Sequence, residues 1–253
     1  MCKLMVTGIY MNYHSKLGET SALHNISFSI DDGEFVSLVG PSGCGKSTLL
    51  NIIAHLIKPS YGDIYLDGKP LTDISPDIGY MFQNDELFDW LSVFDNIALG
   101  LKIQKKLDDK SREHINNLVK EYNLYGFINR KPRELSGGMR QRVALLRTLA
   151  LDPKILLLDE PFSALDYQTR LKVNDDVSNI IKKERKTALM VTHDIAEAIS
   201  MSDRVIILSN RPAEIKEEIK IDIDKNLTPL QRREDPGFRL YFNKIWKELN
   251  IYE

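Results

Sequence analysis

The sequence predicts an α/β protein organised around a parallel core sheet, and three observations carry that expectation. The stretch Gly40-Pro41-Ser42-Gly43-Cys44-Gly45-Lys46-Ser47-Thr48 follows a short apolar strand, Phe35–Val39, and opens a segment in which Leu49, Leu50, Ile52, Ile53, Leu56 and Ile57 recur at helical spacing up to Pro59. The run Ile155-Leu156-Leu157-Leu158 is apolar at every position, as a central parallel strand covered on both faces requires. Beyond it, an amphipathic stretch over residues 167–184, a buried strand at Thr187–Val191 and a further strand at residues 204–209 alternate as crossover-connected parallel strands do.

The remaining elements follow in chain order. Residues 26–30 read as a strand separated from Phe35–Val39 by the turn Asp31-Asp32-Gly33, and Tyr61-Gly62 opens another strand that runs to Leu66. From about Asn84 to Ala150 the β signal fades and helix-compatible stretches take over at residues 93–101, 111–122 and 139–150. This predicts a helical subdomain at about 84–150, inserted into a single domain whose core is formed by 1–83 and 151–253. Residues 215–223 alternate apolar and charged side chains like a half-exposed edge strand. Residues 235–249, with Phe238, Tyr241, Phe242, Ile245, Trp246 and Leu249, form an amphipathic helix whose aromatics are expected to pack.

Composition narrows the function classes. Of 253 residues, 28% are charged with a net charge of -2, so no polyelectrolyte signature points to nucleic acid as a partner. The local run Lys182-Lys183-Glu184-Arg185-Lys186 falls at a helix end, where cations complement the exposed carbonyls. Cys2 and Cys44 are the only cysteines, and Cys44 lies inside the glycine loop, where a disulfide partner would obstruct it. No histidine or cysteine pair has the spacing of a zinc site, and His14, His24, His55 and His114 carry no assigned chemistry. No apolar run reaches the length of about 18 residues that spans a bilayer, and no signal-peptide core is present, so a soluble cytoplasmic location is expected.

The chemistry concentrates at the predicted strand ends. In the loop from Gly40 to Thr48, glycines allow backbone N–H groups to turn inward around phosphate oxygens, and the following helix adds its positive end. Lys46 is placed to reach the β- and γ-phosphates, and the Ser47 hydroxyl suits Mg²⁺. Asp159 and Glu160 follow the central strand directly, at the carboxyl edge where α/β proteins bind ligands. Asp159 suits a water-bridged Mg²⁺ and Glu160 the orientation or deprotonation of an attacking water. His193 follows another buried strand and could donate to the γ-phosphate. A second glycine turn, Leu135-Ser136-Gly137-Gly138-Met139, has no lysine of its own. Its economical use is to close over the triphosphate held by a partner chain's loop, which would make ATP the glue of a dimer.

With these motifs in this order, the chain resembles an ATP-binding cassette ATPase over essentially its whole length. The stretch from Glu134 to Arg142 is similar to that family's signature, and Ser163-Ala164-Leu165-Asp166 to its dimer-contact loop. Within the family the likeness is closest to ATPase subunits of bacterial importers for nitrate, aliphatic sulfonates and taurine. It is carried by Met81-Phe82-Gln83, Trp90, the stretches 93–101 and 159–166, and Ile245-Trp246-Lys247-Glu248-Leu249. The resemblance implies the cassette-type nucleotide-binding domain of the phosphate-loop NTPases, with a parallel core sheet, an N-terminal antiparallel β subdomain and an inserted α-helical subdomain. It implies ATP and Mg²⁺ as ligands and Glu160, His193, Gln83 and Lys46 as catalytic residues, with Ser47, Gln83 and Asp159 toward the metal. It further implies that an aromatic side chain, Tyr13 or its competitor Tyr10, stacks on adenine.

Leu135, Ser136, Gly137, Gly138 and Met139 would reach the nucleotide of the opposite subunit, with Asp166 at the dimer contact. The implied partners are a second copy of the chain, integral membrane permease subunits and, indirectly, an extracytoplasmic solute-binding protein, at the cytoplasmic face of the membrane. Two positions depart from the family pattern: His55 stands where glycine is usual, and Asp89 where proline commonly precedes the tryptophan. A soluble cassette ATPase acting on nucleic acid or the ribosome, a small-molecule kinase and a nucleotide-gated regulator are the competing classes. The kinase leaves the second glycine turn and Asp166 unexplained, and the single cassette without sustained heptads disfavours the first.

Overall fold

A computed structural model describes residues 2–15 and 18–250 and divides them between two sheets. The first is antiparallel. It pairs β1 (Cys2–Ser15) with β2 (Gly18–Asp31) on one edge and, after β3 (Phe35–Val39) and α1 (Lys46–Ile53) have left for the second sheet, with β4 (Tyr61–Leu66) on the other, where the two-residue β5 (Lys69–Pro70) pairs in turn with β4. The second sheet takes β6 (Ile78–Met81), then three α-helices intervene: α2 (Val93–Ile103), α3 (Asp109–Glu121) and α4 (Gly137–Leu149). The chain returns with β7 (Ile155–Asp159), α5 (Tyr167–Lys183), β8 (Thr187–Val191), α6 (Ile195–Met201), β9 (Arg204–Leu208) and β10 (Ile215–Lys220), and closes with α7 (Pro229–Glu234) and α8 (Phe238–Asn250). Strand order in this sheet is β10-β9-β3-β8-β7-β6, parallel throughout except for β10, which pairs antiparallel on β9.

The unbroken apolar strands are explained by burial on both faces. Along β7, Leu156 and Leu158 join a cluster with α2, α3, α4 and α5, while Ile155 and Leu157 join the opposite cluster with α1 and the antiparallel sheet. Strand β8 alternates in the same way, Ala188 and Met190 against Leu189 and Val191. A third cluster gathers Val39, Val205 and Ile207 with α6 and with Ile245 of α8. Tyr241 and Phe242 pack on it as expected for the terminal helix, whereas Trp246 remains 55% exposed. No helix of the described residues is long and apolar enough to cross a membrane.

Several elements differ from the sequence expectation. The N-terminal antiparallel sheet agrees with what the resemblance implies, but the residue pattern marks no strand over β1, and β2 is much longer than residues 26–30. Register shifts interrupt their pairing near Val6/Ile9 and Ile9/Met11, and Gly8 and Asn25 sit at φ 55 and 50, so the two-residue alternation that marks a strand is broken. The short elements β6, α6 and α7 offer too few turns or residues to show a period. Helix α1 stops at Ile53, short of Pro59. His55 takes the left-handed conformation, φ 60, with its N–H bonded to Ile52 O and the N–H of Leu56 to Asn51 O. This is a Schellman closure, for which glycine is the easiest residue. His55 adds a compensating contact, Nε2 to Leu71 O at 2.7 Å.

Candidate nucleotide site

The site lies along the carboxyl ends of the parallel strands. Strand β3 delivers the chain to Gly40, whose Cα passes close to Leu208 and Cys44: a Cβ there would stand 3.0 Å from Leu208 Cβ and 3.0 Å from Cys44 Sγ. Gly43 and Gly45 take φ 73 and 125, which L side chains rarely adopt. Gly45 is also the N-cap of α1 and supplies no side-chain hydrogen bond, so the first amides of α1 are left to the cavity. Lys46 is 6% exposed and its Nζ reaches back to Gly40 O at 2.8 Å and Pro41 O at 2.9 Å. Burial raises the Cys44 thiol pKa, consistent with a packed rather than reactive side chain.

The loop opens on a cavity of about 620 Å³ that Gln83, Glu160, His193 and Arg211 also line, together with Ala22, Ser42, Gly43, Gly45, Lys46, Ser47 and Thr48. Glu160 sits one residue past β7 with φ 44, a backbone strain that turns it away from the line of Asp159. Its Oε2 is 3.0 Å from His193 Nδ1 and 3.4 Å from Gln83 Nε2. Asp159 accepts from Ser47 Oγ at 3.0 Å and from the Tyr80 hydroxyl at 3.3 Å. Burial raises the Asp159 pKa against these two hydrogen bonds, and a neighbouring cation would favour its anion. Ser47 and Asp159 are hard oxygen donors, and two of them leave positions for water and phosphate oxygens, so the set fits Mg²⁺. Among the described residues no cluster of three or more His, Cys, Asp or Glu forms a metal site.

The two tyrosine candidates are separated in space. Tyr13 is 40% exposed with its hydroxyl 3.3 Å from Oγ1 of Thr48, which lines the cavity. Tyr10 packs edge-on against His24 at 4.9 Å and Tyr61 at 6.3 Å within the antiparallel sheet.

The second glycine turn is elsewhere. Ser136 caps α4, its Oγ accepting from Met139 N at 3.4 Å, and none of residues 135–139 lines the cavity. Leu135 is buried in the helical cluster. A Cβ on Gly138 would meet Val173 Cγ2 at 2.9 Å and one on Gly137 would meet Leu165 Cδ2 at 3.1 Å, so α4 packs tightly against α5 and the loop before it. Asp166 is exposed and caps α5, accepting from Thr169 N at 3.0 Å; the Thr169 hydroxyl and then this backbone bond lower its pKa. Asp89 forms an ion pair with Arg133 at 3.0 Å, beside Trp90, which is 70% exposed.

Other participants had no signal in the sequence. The Tyr80 hydroxyl bridges Asn51 Oδ1 at 3.1 Å and Asp159, and its own pKa is raised by burial and by the Asp159 charge. Arg140 Nε donates to Asp85 Oδ2 at 2.7 Å, while Arg147 donates to the carbonyls of Glu86 and Asp85 at 2.6 and 2.8 Å, tying the loop after Gln83 to the signature helix. These partners are 55 to 62 residues apart in sequence, beyond any local pattern.

A parallel sheet whose strand ends bring a phosphate loop, the Glu160 carboxylate, a glutamine and a histidine to one cavity, with Asp159 bonded to Ser47 of the loop, defines a phosphate-loop ATPase cassette. The family profile described as ABC transporter matches residues 23–163, more than half of the chain. An uncharacterized ABC transporter ATP-binding protein, YtlC of Bacillus subtilis (strain 168), is 46% identical over 254 residues, covering 100% of this chain and 98% of the relative. The aliphatic sulfonates import ATP-binding protein SsuB of Bacillus thuringiensis subsp. konkukian (strain 97-27) is 42% identical over 238 residues, covering 93% and 92%. Among solved structures, the dimeric post-hydrolysis state of the ATP-binding cassette MJ0796 bound to ADP and Pi superposes with a TM-score of 0.73 at 34% identity, covering 87% of this chain and 100% of that one. The chain belongs to the ABC transporter family of ATP-binding proteins, and it is an ATPase.

Proposed function

We propose that this chain is the ATP-hydrolysing subunit of an importer for a small solute of the nitrate, sulfonate or taurine type, working as a head-to-tail homodimer attached to permease subunits at the cytoplasmic face of the membrane. The observation that carries the mechanism is Glu160 held 3.0 Å from His193 and 3.4 Å from Gln83 beside the Lys46 loop. Tyr13 stacks on the adenine, the loop amides and Lys46 bind the phosphates, and Ser47, Asp159 and Gln83 would hold Mg²⁺, which would supply neutralisation of phosphate charge. Glu160 accepts the proton of the attacking water as the bond between the β–γ bridging oxygen and the γ-phosphorus breaks. His193 donates to the γ-phosphate and keeps Glu160 oriented.

The placement of Ser136 outside its own chain's cavity supports its action in trans, with Gly138 bringing the α4 N-terminus to the partner's γ-phosphate and Asp166 at the contact between copies. The dimeric cassette relative supports the same arrangement. A groove of about 320 Å³ beside the Gln83 loop, lined by Tyr80, Phe82, Phe88, Leu99 and Ile103, supports a permease segment seated between the sheet and α2. Since Arg147 spans this groove and the Gln83 loop, it links permease contact to the site. The solute class rests on the sulfonate-import relative and the sequence resemblance, and its delivery by an extracytoplasmic binding protein completes the proposed path.

The test is Glu160→Gln, assayed for phosphate release, ATP binding and particle size. The expected result is hydrolysis reduced by at least about 100-fold with ATP still bound and a dimer that forms only with ATP. Hydrolysis at the parental rate would remove Glu160 from its role.

A further inference from the structure

Arg211 is not part of any motif discussed above, yet it lines the same cavity as the phosphate loop. Strand order fixes where it stands. Strand β3, which leads into the loop, lies between β8 and β9. Gln83, Glu160 and His193 follow β6, β7 and β8, all on one side of β3; Arg211 follows β9, on the other. The segment that carries it is fastened to the antiparallel sheet, His24 N donating to Ala213 O and Ala213 N to Ala22 O, both at 2.9 Å. Ala22 in turn lines the cavity next to Gly45, where a Cβ would lie 3.3 Å from Ala22 O.

The guanidinium is anchored by one bond, Nε to Ser21 O at 3.2 Å, its only hydrogen bond to a described residue. That leaves the two Nη groups, with four N–H donors, for a ligand. We propose that Arg211 is a nucleotide-binding residue whose Nη groups contact the α-phosphate from the side opposite Glu160, an inference that rests on the site reading above. The γ end of the triphosphate belongs to the side of the water-activating groups. A phosphate chain crossing the α1 N-terminus from there leads its α-phosphate to the Thr48 and Tyr13 side and to Arg211. Two cations, Lys46 and Arg211, then bracket the chain of phosphates. Because the α-phosphate is common to ATP and ADP and does not react, the contact acts equally on ground and transition states.

The experiment compares Arg211→Ala, Arg211→Gln and Arg211→Lys by calorimetric titration with ATP and with ADP, with steady-state hydrolysis measured alongside. Glutamine keeps an amide donor for Ser21 O while removing the charge; lysine keeps the charge. The expected result is a rise in Kd of about tenfold for both nucleotides in the alanine and glutamine variants, partial recovery in the lysine variant, and kcat at saturating ATP within about twofold of the parent. Unchanged affinity in the glutamine variant overturns the proposal, because Arg211 would then act only by holding the Ser21 segment. A loss confined to ATP overturns it also, because the contact would be to the γ-phosphate. Lys46→Met is titrated beside them: if it retains full affinity, the site reading itself fails, whereas its loss of binding with Arg211→Gln unaffected removes the Arg211 proposal alone.

Discussion

Two glycine-rich turns lead into helices in this chain, and they use glycine for different physical reasons. In the phosphate loop, Gly43 and Gly45 have positive φ, and a Cβ on Gly43 would meet nothing within 4 Å, so conformation alone calls for glycine there, while Gly45 combines its positive φ with close approach to Leu23 Cδ2 at 2.8 Å. In the signature turn, Gly137 and Gly138 begin α4, and what excludes a side chain at Gly138 is Val173 of α5 at 2.9 Å. The first turn has a buried lysine and lines the cavity; the second has a capping serine and does not line it. A cradle with its cation can hold phosphate within one chain. A bare helix N-terminus gains a ligand only when another molecule brings one to it.

The comparison is broken most directly at Lys46. Lys46→Met is expected to weaken ATP binding by about 100-fold or more, because a buried charge-assisted contact to phosphate disappears; titration reads this, and retention of affinity would show that the first turn is not the cradle. Gly138→Ala is expected to destabilise the fold by about 1–3 kcal/mol through overpacking against the stiff Val173 side chain. Gly43→Ala should cost about 1 kcal/mol through backbone conformation alone. Denaturant unfolding of both variants separates the two causes, and Val173→Ala should restore only the first.

Ser136→Ala removes the α4 cap and is expected to cost about 0.5–2 kcal/mol of stability. Placed in the Glu160→Gln background, it should also weaken the ATP-dependent dimer; a dimer of unchanged affinity would end the trans role of the signature turn. The smallest effect is expected at the far end of α1. His55→Gly relieves the left-handed conformation but loses the bond to Leu71 O, so thermal unfolding should move by less than about 1 kcal/mol in stability, with nucleotide affinity unaltered.

Legibility in the sequence varied with the range of the interaction. The phosphate loop was readable because strand, turn and helix start are contiguous, and Gly43 and Gly45 answer local backbone demands, whereas the close approach that excludes a side chain at Gly40 comes from Leu208. Strands β7 and β8 were readable because burial on both faces leaves no polar position. Strand β1 was not, because bulges shift its alternation and its pairing with β2 and β4 decides its length. Likewise, Tyr13 and Tyr10 have the same chemistry in nearby positions, and only the folding of β1 over α1 brings one of them to Thr48.

The sequence by itself determined the phosphate-binding chemistry, the two buried central strands, and the order of motifs that marks an ABC cassette, since each is written in consecutive residues whose backbone or side-chain requirements are local. The tertiary structure alone decided which groups share the cavity: Arg211 at the end of β9, Tyr80 beneath Asp159, and the arginines of α4 on the loop after Gln83. Those contacts join segments that meet only after the sheet has set its strand order, and no spacing rule along the chain encodes an order that arises from packing.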